Sequence, residues 1–218
     1  MTNVFHHSLP QQIADKITKQ IMTGDLMPGE KIIESNYASE YGTSRAPIRE
    51  ALYLLATEGL VERIPRKGTI VKGFSQSEIN DLLDIRMTLE KMAMKRIQSA
   101  SDHQSCLIKM EDLVEQMGAT LHDEKQYALL NQEFHMTIIR MSQSNVIHEL
   151  YQKLSKQLLS LQLLSFLEGE HIQKSYEEHQ TIIHLLKNKQ FDEASSLLED
   201  HNQAVITRLN LQFKSPTK

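Results

Sequence analysis

Three histidines in the second half of the chain stand where their rings can meet. Asn131-Gln132-Glu133-Phe134-His135 puts an amide and an imidazole at i and i+4, on one face of a helix. Glu178-His179 runs into Ile182-Ile183, and Glu199-Asp200-His201 runs into Ala204-Val205, so both of these imidazoles sit beside apolar positions. Neutral imidazole is the commonest side-chain ligand of divalent transition metals, and three of them with one oxygen donor leave positions open for water or a carboxylate. Spacing across separate helices leaves a second reading open, in which each histidine is a hydrogen-bonded packing residue. Arg86 stands four residues before Glu90. Its guanidinium suits a carboxylate ligand bound through two parallel hydrogen bonds, and equally an i,i+4 ion pair with Glu90. His184 points roughly 140° away from His179 on a helix, and His103, His122 and His171 fall near expected helix ends. His6 and His7 belong to an expected mobile terminal arm.

A second group of residues has the chemistry to grip a nucleic acid. Between 42 and 73 the chain carries Arg45, Arg49, Arg63, Arg66, Lys67 and Lys72 against Glu50, Glu58 and Glu62, a local basic excess inside a net charge of −4. At 100° per residue Ile48, Ala51, Leu52 and Leu55 share one side of a helix, while Arg45, Arg49, Tyr53 and Ala56 form a neighbouring outward stripe. Arginine near the start of a helix lying in the major groove bonds guanine through two parallel contacts, and Thr43 and Ser44 can meet phosphate at the positive helix end. Arg66, Lys67 and Gly68 suit the tip of a hairpin lying along the backbone or in the minor groove. Without DNA, the same two arginines would form a solvated face paired with Glu50 or Glu40.

The elements that must position these residues differ between the two parts of the chain. All prolines but Pro216, and all glycines but Gly118 and Gly169, precede residue 74. Ile13, Ile17 and Ile21 mark an amphipathic helix over roughly 9–23, with Gly24 at its C-terminal cap. A short helix over roughly 34–41, a turn at Gly42-Thr43 and a third helix over roughly 45–58, capped by Ser44 with Pro47 in its first turn, follow. Leu60–Ile64 and Thr69–Lys72 alternate as two short strands around the turn Pro65–Gly68. The sum is a winged helix-turn-helix over 1–74. From 75 to 218 the apolar spacing predicts six helices, at roughly 76–99, 105–118, 124–142, 146–167, 170–188 and 191–213, with Ser75 and Asn145 as caps. The expected fold is mainly α: a winged helix-turn-helix followed by an all-α six-helix bundle, whose seven methionines between Met87 and Met141 suggest an adaptable core.

Composition narrows the function classes. Hydrophobic residues at 40% and charged residues at 24% are enough to bury a core. The single cysteine, Cys106, excludes an intrachain disulfide framework, a cysteine-rich zinc finger and an iron–sulfur cluster. Residues 1–74 hold nine Lys/Arg against eight Asp/Glu and the remainder 15 against 20, so DNA binding would be confined to the first part. No apolar run reaches the ~18 residues of a membrane span, and a cytoplasmic protein is expected.

Gly24-Asp25-Leu26-Met27-Pro28-Gly29-Glu30, the run from Gly42 through Leu52, Glu58-Gly59-Leu60-Val61 and Arg66-Lys67-Gly68 closely resemble the GntR family of bacterial transcription regulators. The resemblance implies that Ser44, Arg45 and Arg49 contact the operator and that Gly68 is the wing glycine; the departure is Ser35, where some relatives carry arginine. Asp84-Ile85-Arg86 with Leu89-Glu90, Asn131 with Phe134-His135, Asn145, Glu178-His179, and Ala194 with His201 resemble the FCD ligand-binding domain of the FadR subgroup. That resemblance implies a metal pocket at Asn131, His135, His179 and His201 for zinc, nickel or manganese, and Arg86 facing an acidic effector. Asn131 stands where metal-containing members have Asp, so the oxygen donor lacks a charge and metal affinity falls. The leading expectation is a homodimeric transcription regulator, a repressor that binds a palindrome in double-stranded DNA and responds to a small organic acid. A metalloenzyme using the histidine pocket and a constitutive architectural DNA binder are the alternatives.

Overall fold

Ile13 and Ile17 recur one turn apart on α1 (Leu9–Met22) and are fully buried in the computed structural model, which describes residues 8–98, 103–166 and 170–214. The chain divides into two units between Gly73 and Phe74. In the first, α1 packs on α3 (Arg45–Thr57), whose Ile48, Ala51, Leu52 and Leu55 form the facing stripe. Helix α2 (Glu34–Glu40) ends with Gly42 at φ +57°, the Gly42 amide donating to the Ser39 carbonyl and the Thr43 amide to that of Ala38. This left-handed glycine closure makes the tight turn into α3. Ser44 occupies the cap position of α3, but its side chain makes no cap hydrogen bond.

Strands β2 (Val61–Ile64) and β3 (Gly68–Val71) form the expected hairpin, pairing Arg63 with Thr69 and Ile64 with Gly68. A third strand, β1 (Lys31–Ile32), adds to the other edge of β3 in the order β1-β3-β2. Its two residues are too short to show an alternation in sequence.

The second unit holds six helices among the described residues: α4 (Gln76–Ile97), α5 (Gln104–Gly118), α6 (Glu124–Met141), α7 (Asn145–Ser165), α8 (Glu170–Lys187) and α9 (Phe191–Lys214). Ser75 caps α4 in a reciprocal box with Glu78. The cap of α7 is Ser144, whose hydroxyl accepts from the Ile147 amide, so Asn145 is the first helical residue rather than the cap expected for it. Helix α6 packs against α4, α5 and α7, and residues 134–139 of it are all buried. A helix hydrophobic nearly all round must lie inside a bundle. Met110, Met117 and Met136 help fill this core. Among the described residues no helix is long and apolar enough to cross a membrane. His6 and His7 lie outside the described residues.

Candidate functional site

On the first unit, Arg45 and Arg49 are both exposed, one turn apart at the start of α3. Arg49 Nε donates to Glu34 Oε2 at 2.9 Å while its side chain stays 55% exposed. Glu34 is therefore its partner instead of Glu40 or Glu50; Glu40 is held by Lys16. The pair is too exposed to contribute more than ~1 kcal/mol to stability, but it restricts the rotamers of Arg49. Tyr53 stacks under the Arg63 guanidinium at 3.8 Å, which joins the exposed face of α3 to β2. At the hairpin tip Arg66 has φ +66° and Gly68 φ +100°. A Cβ on Gly68 would meet Lys31 Cε at 3.2 Å, so this glycine serves both a backbone conformation and the passage of a lysine. Arg66, Lys67 and Gly68 are exposed, as is Ser44, and Thr43 is half-buried. Lys31 is a basic neighbour of the tip that only the short strand reveals.

In the second unit α6, α8 and α9 bring His135, His179 and His201 together, with one ligand atom from each within 4.8 Å of the others. The rings of His135 and His201 stack at 5.2 Å, and both lie within 5.4 Å of His179. All are buried, as is Asn131 one turn before His135. Behind His135 stands Glu90, whose Oε1 is 3.1 Å from Nδ1 without full hydrogen-bond alignment. Behind His201 stands Glu178, whose Oε2 is 2.7 Å from Nδ1. With a proton on Nδ1 facing each carboxylate, the Nε2 lone pairs are left free, and neither has a partner. Both His179 nitrogens and both Asn131 amide atoms are likewise buried without partners.

Arg86 does not stand alone: its Nε donates to Glu90 Oε1 at 3.0 Å in an i,i+4 pair that is completely buried, while its Nη2 has no acceptor. Tyr151 of α7 donates to Glu90 Oε1 at 3.2 Å and Asn202 of α9 to Oε2 at 2.7 Å. Burial would push the Glu90 carboxyl up, yet charge and hydrogen bonds hold it well below the usual carboxylate range. Because His135 is itself neutral, Arg86 and the Tyr151 and Asn202 donors are what keep Glu90 ionised. Burial first, then the Arg86 charge, takes His135 down to about 3 against the pull of Glu90. Burial and the neighbouring imidazoles depress His179, and burial depresses His201 despite its bond to Glu178. Neutral imidazoles with free nitrogens are donors ready for a cation. A narrow cleft between α4 and α9 reaches Glu90 and Asn202, and the ion pair Lys91–Glu199, at 2.8 Å, lines it.

Residues 9–71 match the model for bacterial regulatory proteins of the gntR family, and residues 81–204 match that of the FCD domain. The chain is a GntR-family transcription regulator with an FCD domain. The regulator is 25% identical over 193 residues to the uncharacterised HTH-type transcriptional regulator YdhC of Bacillus subtilis, covering 87% of this chain and 86% of that one. It is 27% identical over 188 residues to the gluconate operon transcriptional repressor of Bacillus licheniformis, covering 83% and 76%. Among solved structures, a GntR-type regulator from Rhodococcus sp. RHA1 superposes with a TM-score of 0.81 at 20% identity, covering 94% of this chain and 99% of that chain. E. coli McbR/YncC superposes at 0.79 and 22% identity, covering 95% and 100%. These relatives are transcription regulators, which removes the metalloenzyme alternative.

The sequence pointed to Asn131, His135, His179 and His201, of which the structure gathers the three histidines and buries Asn131, but it assigned no role to Glu178 or to the Tyr151 and Asn202 donors. Glu178 was adjacent to His179 in the quoted motif, yet it serves His201, on another helix. For the headpiece, Arg45→Ala and Arg49→Ala should each weaken operator binding by ~1–3 kcal/mol while leaving the fold intact, since neither side chain enters the core. Fluorescence anisotropy on operator DNA checks this; an unchanged Kd in a folded variant would exclude that arginine from the interface.

Proposed function

We propose that the regulator is a repressor that binds a palindromic operator as a homodimer, and that a small organic acid held at a metal centre in the helical unit releases or retunes it. The observation that carries this reading is the arrangement of His135 and His201, each backed by a carboxylate at Nδ1, with an unpartnered Nε2, and with one ring nitrogen of each within 4.8 Å of the other's and of one from His179. Carboxylates behind ligating imidazoles fix their tautomer and raise their basicity. Side-chain movements of about an ångström bring the three nitrogens to the ~3 Å separations of a shared ion. Asn131 supplies a neutral oxygen donor, so zinc, nickel or manganese here would keep its full charge and favour an anionic co-ligand. A carboxylate meets that need, with Arg86 Nη2 as a second contact. The relatives include repressors, among them the gluconate operon repressor. One headpiece touches too few base pairs to define a site, which favours two headpieces on half-sites related by a twofold axis.

Chelator-treated protein is expected to gain ~2.7 kcal/mol of stability when a metal is added at a hundredfold excess over its Kd. His179→Ala should lose that gain and the response to acids while retaining operator binding, and Asn131→Asp should bind metal more tightly. Thermal unfolding with metal analysis reads the first, and anisotropy on operator DNA the second. Equal acid binding by chelated and metal-loaded protein would sink the metal reading. Sedimentation of a monomer at micromolar concentration would sink the homodimer.

A further inference from the structure

Beside the histidine centre the bundle holds a second layer of buried polar groups that nothing in the protein satisfies. Tyr127 precedes Asn131 by one turn on α6, Ser175 precedes His179 by one turn on α8, and Arg208 follows His201 by two turns on α9. Seven residues return a helix to nearly the same face, ~10 Å further along. Tyr127 and Arg208 meet at Phe166, whose ring meets Tyr127 edge-on at 5.2 Å and lies under the Arg208 guanidinium at 5.9 Å. Ser175, 1% exposed, faces the Tyr127 hydroxyl close enough to interact with it, but neither oxygen has a partner in full hydrogen-bond geometry. Arg208 Nε and Nη2 are buried without acceptors. Gln162, 1% exposed and one turn before Phe166 on α7, leaves both amide atoms unpaired. Native interiors satisfy nine in ten or more of such groups, so orphaned donors gathered in one layer point to an absent partner.

Charge says which partner. Among the buried groups Arg86 is matched by Glu90, and Arg208 by Glu178, which also meets the exposed Lys174 at 3.7 Å. The imidazoles and Asn131 add nothing. A divalent cation therefore leaves the pocket at least two charges positive, and one carboxylate cancels half of that excess at most. We propose that Arg208, with the hydroxyls of Tyr127 and Ser175, forms a second anion subsite, and that the effector is a dicarboxylate bridging it to the histidine centre. This rests on the reading of that centre as a metal site for an organic acid. Arg208 takes the far carboxylate through Nε and Nη2, and the hydroxyls complete its shell.

Titration calorimetry on zinc-loaded full-length protein tests the proposal with succinate, glutarate and adipate as probes against acetate, butyrate and gluconate. At least one dicarboxylate should bind ~10–100-fold more tightly than any monocarboxylate, the gain of a charged hydrogen-bonded contact. Arg208→Gln should remove that advantage while leaving monocarboxylate and zinc affinities unchanged. Tyr127→Phe, which keeps the ring against Phe166, should remove part of it. An undiminished dicarboxylate advantage in folded Arg208→Gln overturns the subsite alone. Gluconate or butyrate binding as tightly as the best dicarboxylate also overturns it. If no acid binds, or acids bind equally without zinc, the metal-centre reading falls and the subsite with it.

Discussion

Lowering the pH from 7.5 to 5.5 should destabilise the metal-free helical unit by more than ~1 kcal/mol, starting well above the range in which ordinary carboxylates titrate. His135, His179 and His201 are held neutral in the folded protein, whereas in the unfolded chain they take up protons below ~6.5. Unfolding then binds protons, so stability falls as pH falls. The contribution is complete above pH ~6.5 and is lost progressively toward the folded values, about 3 for His135. His135 alone accounts for ~1 kcal/mol by pH 5.5, and His179 and His201 add to the loss in the same direction. Glu90 and Glu178, whose folded values are lowered, add their own loss only from the carboxylate range downward. Residues 8–73 contain no histidine, so the headpiece should not share this transition. Thermal unfolding followed by circular dichroism at the two pH values reads the effect, and a helical-unit midpoint that did not move would mean that these rings are open to solvent.

Glu90→Ala should cost the helical unit ~3–5 kcal/mol, the penalty of leaving a buried guanidinium without its counter-charge. The variant also strips the acceptor from Tyr151 and Asn202. Replacing the pair together, Arg86→Met with Glu90→Leu, should cost less than Glu90→Ala alone, because hydrophobic residues of similar volume avoid the desolvation of both charges. Urea unfolding of the three proteins gives the comparison. A loss below ~1 kcal/mol in Glu90→Ala would show that water reaches Arg86.

Much of this architecture was legible from local rules. The i, i+4 isoleucines of α1, Gly42 in its turn, and Ser75 with Glu78 each specify structure through neighbours a few residues away, so spacing alone suffices. The stripe Ile48-Ala51-Leu52-Leu55 fixed which way Arg45 and Arg49 face. What escaped was decided by distant contacts. Arg49 finds Glu34 across the helix-turn-helix, 15 residues away, and no periodicity marks that pairing. Strand β1 exists only because β3 offers an edge. In the bundle, spacing put Asn131 and His135 on one face, but their meeting with His179 and His201 depends on how three helices pack, and only the family resemblance implied it. The layer of Tyr127, Ser175 and Arg208 follows from the same packing, and nothing in the order of those residues along the chain announces it.

The Glu90 carboxylate is shared by α4 itself, through Arg86, by Tyr151 of α7 and by Asn202 of α9, with His135 of α6 in contact. Groups that share one partner do not contribute independently, so the cost of replacing any of them depends on which others remain. Over evolutionary time these positions cannot drift one by one. A change at Tyr151 or Asn202 alters what Arg86 can tolerate, and viable routes pass through paired substitutions in which a charge and its counter-charge leave together. The pocket is thus epistatically locked around one carboxylate, whereas the groups near Phe166 hang on no such shared partner and can be exchanged one at a time.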